Sequence, residues 1–223
     1  MWLKWLLPVL LACQPLTARP ASAAPGLVLG DSIGVGVSLA SGVRRLAHNS
    51  VTIGRDDILG QIAQVPAGTV AFLSLGTNDA VGSIKGVGAR VEKVLAAVDA
   101  AGIKAVWIGP ACVIKPWNTT IGELDQILSS KLSGRMPYVS IAGEGFCDTA
   151  IRGHDGVHFT FAGYRRIWVL ARAAAGEQIE AGPEIAAAGK AVKKARKHKK
   201  KKHKKAGKKI VPAAPAPELP GKV

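Results

Sequence analysis

A serine, a histidine and an aspartate can together transfer acyl groups, provided the imidazole removes the hydroxyl proton and the carboxylate orients the imidazole. Ser32 is the candidate nucleophile. It lies in Gly30-Asp31-Ser32, after the apolar run Leu27-Val28-Leu29 and before Ile33-Gly34-Val35-Gly36-Val37, which reads as a strand, a tight turn and a helix. A serine in the first turn of a helix sits beside unpaired backbone N–H groups at the positive end of the helix dipole, where developing negative charge is stabilised. The same turn also reads as a plain N-cap or as a phosphate-cradling loop. Three histidines compete for the role of base: His48, His154 and His158. In Asp155-Gly156-Val157-His158 the glycine permits a turn that folds Asp155 back onto His158, leaving Nε2 free to face a serine. Alternatively, Asp155 caps a turn and His158 opens a helix. Asn78, in Gly76-Thr77-Asn78-Asp79, offers a side-chain N–H to an oxyanion, and Gly54 offers a backbone N–H. Both are also ordinary turn residues.

These residues need a scaffold that gathers them at one edge. Short apolar runs at Leu27–Leu29, Ser50–Ile53, Val70–Leu75, Ala105–Ile108 and Tyr138–Ile141 read as strands. The third and fourth are nearly continuous apolar runs, as in parallel strands covered on both faces. Helical segments lie between them, at Gly34–Ala47, Ile58–Gln64, Ile84–Ala101, Ile121–Leu132 and Phe161–Ala175. In the third of these, Val87, Val91, Val94, Leu95 and Val98 form one apolar stripe that ends at Gly102. Such alternation predicts a flavodoxin-like, three-layer α/β/α sandwich, with a parallel sheet of about five strands in the order 2-1-3-4-5. Its site would lie at the carboxyl ends of the strands, where the loops at Gly30, Gly54 and Gly76 emerge. A longer loop, Gly109–Thr120, also emerges there and supplies Trp117 and Asn118 as candidate substrate contacts.

Gly30-Asp31-Ser32, Gly54, Gly76-Thr77-Asn78-Asp79 and Asp155-Gly156-Val157-His158 follow the order and approximate spacing of the four blocks of the SGNH hydrolases, also called the GDSL family. The chain resembles that family from roughly Leu27 to Ala175. The resemblance implies that Ser32 is the nucleophile, His158 the general base and Asp155 the orienting acid. It also implies an oxyanion hole made of the Ser32 and Gly54 backbone N–H groups and the Asn78 side chain. The implied activity is hydrolysis of carboxylic esters through an acyl-enzyme, with O-acetyl groups on a polysaccharide as one candidate substrate and no metal or cofactor required. A lysophospholipase or thioesterase is the alternative within the family. Two departures stand out: Ile33 replaces the leucine of the GDSL string, and Gly54 is followed by Arg55-Asp56-Asp57 rather than small or hydroxyl residues. Gly60 is the fallback for the second block. Arg55 and Asp56 either line the mouth of the site or form a solvated ion pair.

The two ends differ in composition from the 25–185 domain between them. Residues 1–24 carry Lys4, an apolar stretch from Trp5 to Ala12, and Ala21-Ser22-Ala23-Ala24, the pattern of a secretory signal peptide. Leu10-Leu11-Ala12-Cys13 could instead be a lipoprotein box with Cys13 as the lipidated residue. The chain's net charge of +15 is concentrated at the other end, where residues from Lys190 onward hold 14 Lys and Arg against Glu218 alone. Residues 24–189 hold 14 cationic and 14 acidic side chains, so any affinity for anionic envelope polymers belongs to the tail. Residues 186–223, rich in Lys, Ala and Pro, are too poor in large apolar residues to build a core and are expected to be disordered. The mature chain is expected to be exported, periplasmic or secreted, monomeric and without a transmembrane anchor. Loss of Cys13 with the leader would leave Cys112 and Cys147, which read either as one disulfide or as two small buried residues. Two rivals come from other functional classes. A polyanion-binding envelope protein with an inactive core is disfavoured by the intact Ser32, Asp155, His158 and Asn78. A nucleotide-binding module is disfavoured because Gly30–Gly36 lacks both a P-loop lysine and the G-x-G-x-x-G spacing.

Overall fold

The computed structural model describes residues 25–177. The expected leader with Cys13 and the expected basic tail lie outside the described residues. Four parallel strands form one sheet in spatial order β1 (Gly26–Gly30), β2 (Val70–Ser74), β3 (Lys104–Ala111) and β4 (Tyr138–Ile141). Helices α1 (Ser32–Ser41), α2 (Asp56–Ala63), α3 (Val87–Ala101), α4 (Asn118–Leu132) and α5 (Phe161–Ala174) complete an α/β fold. Because side chains alternate along a strand, each strand feeds both faces of the sheet. Leu27, Leu29, Ala71, Leu73 and Trp107 pack on α2, α3 and α4 through Ile58, Ile62, Val91, Leu95, Leu124 and Leu128. Val28, Phe72, Val106 and Ile108 face the other way, with Ile33 and Val37 of α1 and Tyr164, Ile167 and Ala171 of α5. Burying each such large side chain contributes about 1.5–3 kcal/mol, so this two-sided core holds the three layers together.

The sheet has four strands rather than the five expected, because Ser50–Ile53 does not form one. Helix α1 stops at Ser41, where Gly42 in left-handed conformation donates its N–H to Ser38. The chain then turns back along β1 six residues earlier than the sequence predicts. Residues 44–48 take the edge position: Val28 N–H donates to the Arg44 carbonyl (2.9 Å), and the Leu46 and His48 N–H groups donate to the Val28 (2.9 Å) and Gly30 (3.0 Å) carbonyls. Val51 and Ile53 are fully buried, as their apolar character demands. Their backbone groups, however, are taken by side chains of the loop after β2 rather than by a neighbouring strand. The Asn78 amide donates to the Val51 carbonyl (3.0 Å), and the Asp79 carboxylate accepts the Ile53 N–H (3.1 Å).

β3 runs three residues beyond the expected Ile108, with a shift of register against β4 between Ile108 and Ala111. Pro110 lies within that shift, where its missing N–H breaks no ladder bond. Pairing resumes when Cys112 N–H donates to the Ile141 carbonyl (2.9 Å).

Helices α1 and α5 pack closely because Gly36 presents bare backbone to the Tyr164 ring. A methyl at Gly36 would fall 2.0 Å from the ring carbon Cζ, so Gly36→Ala must displace Tyr164 and is expected to lose about 1–3 kcal/mol to overpacking. Gly60 on α2 has open space around the same position, so Gly60→Ala should be neutral or stabilising by up to about 1 kcal/mol. Urea titration of both variants distinguishes the two sites; equal stabilities would contradict the packing.

Candidate active site

Gly30 has φ +104° and its Cα faces the neighbouring strand, where any side-chain carbon would fall 1.9 Å from the Ser74 carbonyl oxygen. Glycine is therefore required here. The turn is fixed to its surroundings by Gly30 N–H donating to Gln61 Oε1 (2.6 Å) and Asp31 N–H donating to the Ser74 carbonyl (2.9 Å). Asp31 is the N-cap of α1. Its Oδ1 accepts the Ile33 (3.0 Å) and Gly34 (3.4 Å) N–H groups and the Ser74 hydroxyl (2.9 Å). Burial pushes the Asp31 carboxyl up to about 7, against the opposing effect of those three bonds.

Ser32, the first residue of α1, is half-buried, and its Oγ lies 2.9 Å from His158 Nε2. His158 Nδ1 lies 2.5 Å from Asp155 Oδ2. An ionised carboxylate only accepts hydrogen bonds, so Nδ1 carries the proton and Nε2 presents its lone pair to the serine hydroxyl. Asp155 Oδ1 accepts the Val157 and His158 N–H groups, each at 2.9 Å. The little burial there is pushes this carboxyl up, but the bonds from the His158 ring and the two N–H groups outweigh it and hold it well below the usual carboxylate range. The reversal that makes this possible is at Gly156, with φ +69°, whose carbonyl accepts the Ile114 N–H (2.7 Å). The other two histidines stand apart. His48 is exposed at the sheet edge with Nδ1 at 3.0 Å from the Asn49 carbonyl, and His154 is exposed in the loop.

Asn78 and Gly54 belong to one assembly at the neighbouring edge loop. The Asn78 bond to Val51 consumes one amide hydrogen and fixes the plane of the side chain. Asp79, buried and raised by desolvation despite its bonds from Ile53 and Arg90, holds Ile53, the residue before Gly54. Gly54 packs directly on the backbone of Arg90. Gly60 lies inside α2, so its N–H belongs to a helix rather than to the loop. Arg55 and Asp56 are exposed at the start of α2 and form no ion pair with each other among the described residues.

Of the two expected substrate contacts, Asn118 uses its Oδ1 to accept the Val113 N–H (2.8 Å), and Trp117 packs partly buried against the larger core. Both are partly exposed, and the Asn118 Nδ2 is not engaged by that bond. Ile114, in the same loop, is 51 % exposed, and its N–H donates to the carbonyl of Gly156, between Asp155 and His158. In the sequence it follows Val113, so the loop holds two adjacent branched apolar residues, of which Val113 is buried. Cys112 and Cys147 are joined as a disulfide with a Cα–Cα distance of 5.3 Å, linking the end of β3 to the segment that leads to Asp155. Such a link typically contributes about 2–4 kcal/mol. Among the described residues no three His, Cys, Asp or Glu side chains are grouped to hold a metal, and no helix is long and apolar enough to cross a membrane.

Solved structures with this arrangement of strands and helices include several hydrolases. The chain is similar to TesA (TM-score 0.52, 16 % identity, covering 67 % of this chain and 97 % of that one). It is similar to the aryl esterase of M. smegmatis (TM-score 0.51, 17 % identity, 69 % and 99 %). A third is Est24, a carbohydrate acetylesterase from Sinorhizobium meliloti (TM-score 0.52, 15 % identity, 69 % and 99 %). The chain has the SGNH hydrolase fold. Neither protein-family models nor curated proteins give a match. At these identities the likeness concerns the fold, and the chemistry must be argued from the side chains.

Asp31 makes stability depend on pH in a defined direction. A carboxyl with a folded-state pKa of about 7 binds its proton more tightly folded than unfolded, so its contribution is fully present below about 4 and is lost as pH rises towards 7. Asp31→Asn removes this titration. Thermal melts across that range should therefore show the wild type losing stability relative to the variant as pH rises. A difference independent of pH would contradict the assignment.

Proposed function

We propose that the protein is an exported serine hydrolase that cleaves carboxylic esters, with Ser32, His158 and Asp155 as its catalytic triad. The observation that carries this reading is the continuous hydrogen-bonded chain Ser32 Oγ, His158 Nε2, His158 Nδ1, Asp155 Oδ2. In the first step His158 Nε2 accepts the hydroxyl proton as Ser32 Oγ attacks the ester carbonyl. The imidazolium then returns that proton to the departing alcohol, leaving an acyl-enzyme and a neutral imidazole. Water enters, gives up a proton to Nε2 and attacks the acyl carbon, and the proton passes back to Ser32 as the acid leaves.

The oxyanion has three proposed donors. Asp31 takes the N–H groups of Ile33 and Gly34, and its carbonyl takes that of Val35, but the Ser32 N–H has no acceptor among the described residues. It is therefore free for the oxyanion at the start of α1. The Gly54 N–H and the second Asn78 amide hydrogen complete the set. One well-placed donor of this kind is worth about 100- to 1,000-fold in turnover. On p-nitrophenyl acetate, Ser32→Ala should abolish turnover without unfolding the chain, and Asn78→Ala should lower kcat by about 100-fold or more. Wild-type turnover by Ser32→Ala would reject the reading.

Substrates with small acyl groups, such as O-acetyl esters on a polysaccharide, suit a half-buried serine flanked by an exposed loop. The +13 net charge from Lys190 to Val223 supports an anchoring role on anionic envelope polymers, and the pattern of residues 1–24 supports export. Tethering to the polymer that carries the ester would raise its effective concentration. Deleting residues 190–223 should leave turnover of a soluble ester unchanged while weakening salt-sensitive retention on envelope material. Equal retention of both forms at low salt would contradict the anchoring role.

A further inference from the structure

Arg152 is 6 % exposed, yet among the described residues no carboxylate lies within ion-pair distance of it. An unpaired buried cation is costly, and burial draws this guanidinium down to about 10, still protonated at neutral pH. Three of its N–H donors go to backbone carbonyls. Nε (3.1 Å) and Nη2 (2.9 Å) both donate to the Phe146 carbonyl, and Nη1 donates to the Val157 carbonyl. The guanidinium lies 3.9 Å from the centroid of the Phe159 ring, and the Arg152 backbone bridges to Phe159.

The two carbonyls it joins are informative. The Val157 carbonyl belongs to the peptide that enters His158, so fixing it fixes where the imidazole starts. The Phe146 carbonyl belongs to the peptide that enters Cys147, which the disulfide holds to Cys112 at the end of β3. A path of short, directional contacts thus runs from the sheet, through the disulfide and the Arg152 fork, to His158. Asp155 and His158 are both partly solvent-exposed in a loop outside the regular elements. Local packing alone therefore constrains them weakly.

We propose that Arg152 is a positioning residue that holds His158 Nε2 within reach of Ser32 Oγ by clamping the Phe146 and Val157 carbonyls together. The proposal rests on the reading of Ser32, His158 and Asp155 as the triad. A planar fork is suited to two carbonyls at once, whereas a lysine ammonium offers a point charge on a flexible stem. Methionine keeps much of the volume and none of the donors.

The test uses the full chain with Arg152→Met and Arg152→Lys, measuring kcat and KM on p-nitrophenyl acetate, circular dichroism, and the low-field proton resonance of His158 Nδ1–H. The expected result for Arg152→Met is a kcat lower by about 100-fold, as for a displacement of about 1 Å of a reacting group, with KM little changed. Its low-field resonance should broaden or vanish at temperatures where the dichroism is native, and Arg152→Lys should recover part of both signals. Wild-type kcat and an intact resonance in Arg152→Met would overturn the proposal. So would activity losses that merely track the folded fraction, or failure of both variants to fold, since either outcome assigns Arg152 to the fold alone. An inactive Ser32→Ala beside a fully active Arg152→Met rejects the positioning role and keeps the triad, whereas an active Ser32→Ala rejects the triad itself.

Discussion

Three donors converge on one oxygen, Oδ1 of Asp31: two N–H groups from the first turn of α1 and the hydroxyl of Ser74 at the end of β2. That oxygen caps the helix and ties it to the adjacent strand, which settles where Ser32 stands relative to the sheet edge. It also selects which backbone donor remains unused. With Ile33 and Gly34 engaged, the positive end of α1 is directed through Ser32. The cost is a carboxyl sealed from water, with Oδ2 lacking a partner among the described residues. The rest of the site is arranged around this fixed point.

The two arms of the site are built from different materials. Ser32 opens α1 one residue after β1 ends, and Asn78 closes the short connection that follows β2; their surroundings are fastened by bonds to Ser74, Gln61 and Val51. His158 and Asp155 stand on a surface loop with little apolar burial, where covalent and polar links do the work that packing does elsewhere. Aromatic edges add to these links: Phe146 meets Phe159, and Phe159 meets Tyr164, in T-shaped pairs. This asymmetry suits the proposed chemistry, in which the serine must be placed accurately and the imidazole takes up and returns protons through Nε2 alone while Nδ1–H stays on Asp155.

Those parts of the fold and site that rest on local signals were legible in the sequence. Continuous apolar runs identify β2 and β3, and the glycine between Asp155 and His158 permits the reversal that lets neighbouring residues bond. Ser50–Ile53 was misread for an equally physical reason. Its apolar pattern reports burial correctly, but pattern does not say what satisfies the backbone, and here Asn78 and Asp79 supply the partners a strand would. The bond that Asn118 Oδ1 accepts from the Val113 N–H is a loop contact that residue type alone does not announce. Arg152 gives no warning at all, since a lone arginine between Ile151 and Gly153 looks like an exposed charge until the chain folds the Phe146 and Val157 carbonyls onto it.

The serine and its imidazole are separated by 126 residues of chain, and α1 is held against α5, the last described helix, by the bare backbone of Gly36 on Tyr164. The serine turn draws on partners 31 and 43 residues along the chain, whereas on the proposed reading its base arrives only when the two extremes of the domain meet, an event with a higher loop-closure cost. On that reading, a chain emerging in N-to-C order carries Ser32 and the proposed oxyanion donors before it carries the imidazole that would deprotonate Ser32. Tyr164, packed on the bare backbone of Gly36, thereby joins the helix that opens with Ser32 to the helix that follows His158.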